Sequence, residues 1–374
     1  MQLDLTADQE LLRSTAVRFM ENAWPLAKLR QRAGTDAHLE PEYVRQAGEL
    51  GWFAMLVPEE LGGGSVSGAG LLDAAVVAEE RGRLLQPGPF VPMNVVAWAL
   101  SAAGDDRQRR EVLPSLVSGE SLATWAVADA GGDWTPAGGV AAERSGGGFR
   151  LSGIKNLVQD AHIVDWILVT AATDAGPSQF LVPVETPGLS VARLDGLDLS
   201  RDLCQVQFRD VELPESALVG GMGRSTDLIE HQLDVAVSLT VAESVGAMDR
   251  DFEVVVEYAK ARTAFGRPIG SFQAVKHLLA DTALLVETSK SMAFAAGRAV
   301  QEGRQDASLV ASMAKAFIGD SGIDVAQNCL QVLGGIGYTW EHDQHFYLRR
   351  LATDASLFGE PAWHRERVCR IFNL

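Results

Sequence analysis

Arg262-Thr263-Ala264-Phe265-Gly266-Arg267-Pro268-Ile269-Gly270-Ser271-Phe272-Gln273 packs two glycines and a proline into a short segment, the composition of a turn. On its N-terminal side Leu233, Val237, Val241, Val245, Met248, Phe252 and Val256 recur every three or four residues. That spacing predicts one long helix with an apolar stripe facing a bundle. On its C-terminal side, residues 273–303 and 306–333 read as two more long helices, with Gly303 as a C-cap and Asp306 as the next N-cap. The segment therefore joins helices of a bundle. Arg262 and Arg267 flank its turn, and guanidinium groups so placed can fork onto phosphate oxygens. A helix–helix turn carrying solvated arginines is the simpler account of the same residues.

A second turn closes the last of these helices: Gln331-Val332-Leu333-Gly334-Gly335-Ile336-Gly337-Tyr338-Thr339. Its glycines allow a ligand to approach the backbone closely, or they simply stop the helix. No G-x-G-x-x-G follows a strand, so a Rossmann dinucleotide site is not supported. Before residue 223 the pattern changes. Short β-rich runs at 149–151, 165–170, 179–184, 189–193, 204–208 and 211–213 are separated by Gly146-Gly147-Gly148, Gly176-Pro177 and Thr186-Pro187-Gly188. They predict a small antiparallel barrel or sandwich. Residues 1–120 read as helix. Thr6 and Gln9 form a capping box, 58–64 is a loop, 71–81 is a helix, and Pro87-Gly88-Pro89 ends that helix's run. The expected fold class is α+β, with an N-terminal helical domain (1–120), a central antiparallel β domain (121–222) and a C-terminal four-helix bundle (223–374).

A chain of 374 residues, 47% apolar and 22% charged, is globular rather than disordered. Its formal charge of −17 would be repelled by a phosphate backbone, so no nucleic-acid partner is expected. The apolar runs at 91–100 and 235–242 are short and interrupted, which predicts no membrane span. Met1-Gln2-Leu3-Asp4-Leu5 lacks a basic region followed by an apolar core, so no secretory signal is expected and the location is read as cytoplasmic. Cys204, Cys329 and Cys369 make neither a disulfide framework nor a metal pair. His342 and His345 are read as part of a solvated loop, and no metal is expected.

The two turns, taken together, resemble those of the acyl-CoA dehydrogenases, flavoproteins that desaturate acyl-CoA thioesters between Cα and Cβ. Arg262–Gln273 is similar to the family's R-x-x-F-G-x-x-I-x-x-x-Q, and the stretch from Gln331 to Gly337 to its Q-x-x-G-G-x-G. Leu5-Thr6-Ala7-Asp8-Gln9 resembles the family's opening, and Leu50-Gly51-Trp52-Phe53 followed by Val57-Pro58-Glu59-Glu60-Leu61-Gly62-Gly63 resembles its "lG…vPeeyGG" segment. The helical, β, helical order is also the family's. The resemblance implies FAD as cofactor, extended at a subunit interface. Arg262, Phe265, Gln273, Gln331, Gly334 and Gly335 would hold its pyrophosphate and adenosine end for a neighbouring subunit. Backbone groups of Val127, Ala128, Val158 and Gln159 would hold the isoalloxazine. Two motifs depart from the family here. Ala128 stands in place of a Thr whose hydroxyl faces the flavin. In the run Gly153-Ile154-Lys155-Asn156-Leu157-Val158-Gln159-Asp160, Leu157 replaces the Trp that covers the flavin and Gln159 replaces a Thr.

The α-proton of a thioester is weakly acidic, so its removal calls for an aimed and desolvated carboxylate. In most of the family this Glu lies in Y-E-G-T/S. The corresponding Phe358-Gly359-Glu360 puts Gly359 at that position, with Glu360 one place late as the candidate catalytic residue. The family's other base position falls near Ala236, with Asp234 two residues before it. Glu243, in an A-E-x-x-G run, is read as structural. The resemblance implies FAD-dependent desaturation of an acyl-CoA, with this chain as the base-deficient subunit of an α2β2 hetero-oligomer with a homologous dehydrogenase. The substrate would be a bulky sterol-side-chain thioester and the electron acceptor one such as electron-transfer flavoprotein. The alternatives are a self-sufficient homotetramer using Glu360, an oxidase on the same fold, and a non-catalytic scaffold subunit.

Overall fold

The computed structural model describes residues 5–32, 39–134 and 138–374. The chain opens with helices α1 (Ala7–Ala23), α2 (Leu26–Arg32), α3 (Pro41–Glu49), α4 (Gly70–Arg83), α5 (Phe90–Ala103) and α6 (Leu113–Val117). The Thr6–Gln9 capping box forms: the Gln9 N–H donates to Thr6 Oγ1 (3.2 Å) and the Thr6 N–H to Gln9 Oε1 (3.1 Å). Strands follow as β1 (Ala123–Ala126), β2 (Val140–Ser145), β3 (Gly148–Gln159), β4 (Trp166–Thr173), β5 (Gly176–Pro183), β6 (Leu189–Arg193), β7 (Leu203–Pro214) and β8 (Leu218–Val219). They make one sheet in the order β6-β7-β3-β2-β4-β5-β8, with β1 alongside β4. The sheet is antiparallel except where β1 and β2 meet β4.

The runs at 204–208 and 211–213 are not separate strands, as their pattern suggested, but one strand, β7. It bulges where two steps of β3 (Leu151 to Gly153) oppose three of β7 (Val211 to Phe208), with Asp210 at φ 51°. The bulge resets the in/out alternation, so one strand reads as two. β1 and β2 had no clear signal. β1 is buried at all four positions and carries no alternation.

The bundle is α7 (Thr226–Ala261), α8 (Gln273–Gln301), α9 (Ala307–Leu333), α10 (Gln344–Ser356) and α11 (Pro361–Ile371), with a two-residue ribbon, β9 (Thr263–Ala264) and β10 (Arg267–Pro268), between α7 and α8. From Leu233 to Met248, α7 is buried on every side rather than along one stripe, because α4, α8, α9 and α10 all pack on it. Gly303 has φ 59° and its N–H reaches Val300 O, so it does stop α8. Asp306 stands at the N-cap of α9 without a side-chain cap and pairs with Arg304 instead. Gln344 and His345 begin α10, and His345 stacks on Trp340 at 4.9 Å, so this segment is packed rather than a solvated loop. Among the described residues no helix is long and apolar enough to cross a membrane.

Candidate functional site

The α7–α8 connection is a hairpin whose two turn residues, Phe265 (φ 52°) and Gly266 (φ 79°), both adopt the left-handed region. Glycine does this without strain. Phe265 does so on the tip of the ribbon, with its ring 95% exposed. Arg262, Arg267 and Gln273 are also exposed, and the Arg267 guanidinium lies 4.1 Å from the Phe272 ring centroid. Neither arginine has a carboxylate partner among the described residues. Because α8 returns antiparallel to α7 and α9 runs back again, the turn after α9 lies at the same end of the bundle. There Gln331 and Gly335 are exposed, Gly334 takes φ 62° and ψ −140°, and a Cβ built on either glycine would meet nothing within 4 Å. Two guanidinium groups and uncovered glycine backbone at one end of the bundle suit a phosphate-bearing group.

The residues expected to hold the ring end lie elsewhere. Val127 and Ala128 follow β1 and are buried. Val158 and Gln159 end β3 just after its second bulge, where Leu157 takes φ 52°. Lys155, wholly buried, fixes this corner by donating from Nζ to Val127 O at 2.7 Å and to Gly138 O. Burial pushes its ammonium down to about 8. The Gln159 amide is turned away from solvent, donating to Gly88 O at 3.0 Å and Asp160 Oδ2 at 3.3 Å.

Facing this corner from the bundle is the α10–α11 loop. Phe358 takes φ 57°, and its ring lies 6.2 Å from Trp125 and 5.1 Å from Trp134. Gly359, at φ 105°, would place a Cβ 2.7 Å from Trp363 Cε3 and 2.8 Å from His364 Nε2. Lys315 of α9 donates to Asp354 O (2.9 Å), Ala355 O (2.8 Å) and Gly359 O (2.9 Å). Lys315 and Gly334 are separated along α9 by about 28 Å at 1.5 Å per residue. The loop that faces the ring-end corner and the exposed turns therefore lie toward opposite ends of α9.

The descriptions "Acyl-CoA dehydrogenase, N-terminal domain" and "Acyl-CoA dehydrogenase, C-terminal domain" match residues 6–120 and 225–371. The chain belongs to the acyl-CoA dehydrogenase family. This acyl-CoA dehydrogenase is similar to the solved ChsE4–ChsE5 complex from Mycobacterium tuberculosis, with TM-score 0.90 and 26% identity over 100% of this chain and 99% of that one. It is similar to PigA with FAD and proline, with TM-score 0.90 and 26% identity over 100% of both chains. It is also similar to the Tcur3481–Tcur3483 steroid ACAD, with TM-score 0.87 and 27% identity over 98% of this chain and 97% of that one.

The candidate carboxylates of this acyl-CoA dehydrogenase chain occupy three different settings. Glu360 is exposed at the N-cap of α11, directly before Pro361. Asp234 is buried in the bundle, 2.8 Å from Arg367 Nη1 and accepting from Ser308 Oγ at 2.5 Å. Burial raises its carboxyl against the pull of Arg367. A carboxylate so engaged is not free to take a substrate proton. Glu243 is buried between Arg81 (3.2 Å), Arg201 and Arg350 (3.8 Å), which agrees with a structural role. Ala236 is buried and carries no ionisable group. The cleft of about 470 Å³ lined by Met55, Leu71, Trp98, His231, Val235 and Gln301 contains none of these groups.

Sequence reasoning missed Trp134, Lys155 and Lys315. Lys155 sat inside the G-x-K motif but was not singled out, in a strand that also carries Arg150, Ser152, Asn156 and Gln159. Lys315 had only its isolation on an apolar helix as a signal. Trp134 had none.

Proposed function

We propose that this chain is the base-deficient subunit of an α2β2 acyl-CoA dehydrogenase that desaturates a bulky, sterol-side-chain acyl-CoA thioester in the cytoplasm. One observation carries the reading. The position where the family places its Glu is Gly359, at a φ that L side chains rarely adopt and with its Cβ space already taken by Trp363 and His364. The exposure of Glu360 supports the same reading, because an aimed base must be desolvated. The heteromeric ChsE4–ChsE5 complex and the steroid ACAD among the similar structures are consistent with the partner and the substrate class. We take residues 1–120, 121–222 and 223–374 as its domains.

FAD, when bound, supplies the hydride acceptor, and electrons would pass on to a carrier such as electron-transfer flavoprotein. This chain's own part is binding and orientation. Arg262 and Arg267 would neutralise the pyrophosphate of a cofactor seated mainly in the partner, and Phe265, Gln273, Gln331, Gly334 and Gly335 would enclose its adenosine end. In its own ring-end corner the fit is poor. Ala128 offers no hydroxyl, and the Gln159 amide is committed to Gly88 and Asp160. The partner would supply the carboxylate that takes the α-proton.

Dye reduction with acyl-CoA tests this. The purified chain alone should retain little FAD and reduce no dye, whereas its complex with a homologous dehydrogenase subunit should retain FAD and reduce dye. In that complex Glu360→Gln should leave kcat within a few-fold. Loss of a general base costs about 10²–10⁴-fold, so a chain active alone and silenced by Glu360→Gln would establish self-sufficiency instead.

A further inference from the structure

We infer that the α10–α11 loop and the loop after β1 form an aromatic latch that closes this chain's own cleft to acyl thioesters, independently of the missing carboxylate. The inference rests on the reading above that Gly359 occupies the base position, since that places the thioester between these two loops.

Trp134 is 3% exposed and Phe358 5%, although both sit in loops where aromatic rings are seldom so fully covered. Their centroids are 5.1 Å apart with planes tilted by 51°, and Trp125 continues the stack from β1, 6.2 Å from Phe358 and only 17° from parallel to it. The three rings fill the space between the sheet and the bundle. Their positions are held by polar contacts on both sides. From the bundle, Trp363 Nε1 donates to Asp133 Oδ1 at 3.1 Å, bolting the start of α11 to the residue before Trp134. Behind Phe358, its carbonyl accepts from His364 Nε2 at 2.9 Å, and the Gly359 carbonyl accepts from Lys315. Burial and the nearby Lys315 push His364 down to about 3, so the imidazole is neutral and must donate through Nε2.

A thioester entering here would have to swing out Phe358, whose backbone is pinned at φ 57° by those two hydrogen bonds, and displace Trp134 with it. Restoring a carboxylate at Gly359 would not reopen the cleft, because its Cβ would collide with the ring and imidazole that complete the latch. The chain's contribution to catalysis is thus confined to the exposed turns at the other end of the bundle, and bound acyl-CoA belongs to the partner's cleft alone.

Hydrogen–deuterium exchange on the full chain, and on its complex with the partner, tests the latch without reference to activity. Trp363→Phe keeps an aromatic six-membered ring at this position and removes the pyrrole half of the indole with its N–H. It should raise exchange in 130–134 and 357–361 together, by roughly two- to tenfold for one lost hydrogen bond to an exposed carboxylate. Asp133→Ala removes the same bond from the other side and should give the same paired rise. Octanoyl-CoA should leave exchange of both segments in the wild-type chain unchanged. A rise in only one of the two segments, or slowing of either segment by octanoyl-CoA, would overturn the latch. Dye reduction by the chain alone would instead overturn the preceding reading, so the two failures are distinct.

Discussion

Arg262 stands at the C-cap of α7, exposed and with no carboxylate partner among the described residues, so within these it stabilises little. An exposed arginine costs the fold almost nothing to remove, yet as one arm of a charge-assisted contact to pyrophosphate it would contribute about 1.5–3 kcal/mol to binding. Arg262→Ala should therefore weaken FAD retention by the assembled complex about 10–100-fold while leaving the Tm of the isolated chain where it was. Equilibrium dialysis of FAD against complex and variant measures this, and an unchanged dissociation constant would remove Arg262 from the site. The residue-scale motifs were legible because loop residues that bind must be specific residue types. Trp134 and Lys315 were not legible, since nothing local distinguishes a buried loop Trp, or a lysine that caps a distant helix, from an ordinary one.

Among elements, the crossing of α4 and α7 is the tightest. A Cβ on Gly82 would lie 1.8 Å from Glu243 O, and one on Gly246 1.8 Å from Glu79 O, so each glycine admits the other helix's backbone. This gives the A-E-x-x-G run of α7 its physical meaning: the glycine lets α4 approach, and the glutamate one turn earlier meets Arg81 of that same helix. Gly246→Ala adds only a methyl, and in solvent it would favour the helix. Here it must push α4 and α7 apart, at about 1–3 kcal/mol. Urea unfolding should show a lowered midpoint with an unchanged slope. The helices were readable from apolar periodicity, but the depth of their approach was not.

On the scale of the whole molecule, one buried charge cluster ties the three parts of the chain. Glu243 of α7 meets Arg81 from the N-terminal helices, Arg201 from between β6 and β7, and Arg350 from α10, while Arg201 also pairs with Asp354 at 2.7 Å. Burial alone would raise the Glu243 carboxyl, but Arg201, Arg81 and Arg350 outweigh it and hold the group below its ordinary 4.5. A depressed carboxyl contributes stability that is present above the unfolded value and fades as pH falls through the folded one. Glu243→Gln removes the carboxylate that Arg81, Arg201 and Arg350 share, leaving Arg201 with Asp354 and Arg350 with Asp198, and should cost about 3–5 kcal/mol near neutrality. The gap between wild type and variant should narrow progressively below pH 4.5, as thermal unfolding across pH 3–8 would show. A gap independent of pH would mean that shape, not charge, carries the effect.

The sequence by itself determined the helical, β, helical order and the two turns, and it places Gly359 rather than a Glu in the Phe358-Gly359-Glu360 stretch. Each of these depends on residue type and short-range spacing, which the chain displays directly. Only the tertiary structure decided that Glu360 is solvated, that Asp234 is bound to Arg367, that 204–208 and 211–213 are one bulged strand, and that Trp134 and Trp125 meet Phe358 from across the molecule. Those facts join residues tens to hundreds of positions apart, and such contacts are set by how whole layers pack rather than by any local preference. Gly359 shows the boundary between the two. Its lack of a carboxylate is written in the sequence, but the reason no carboxylate would fit there is written in the packing of Trp363 and His364 around it.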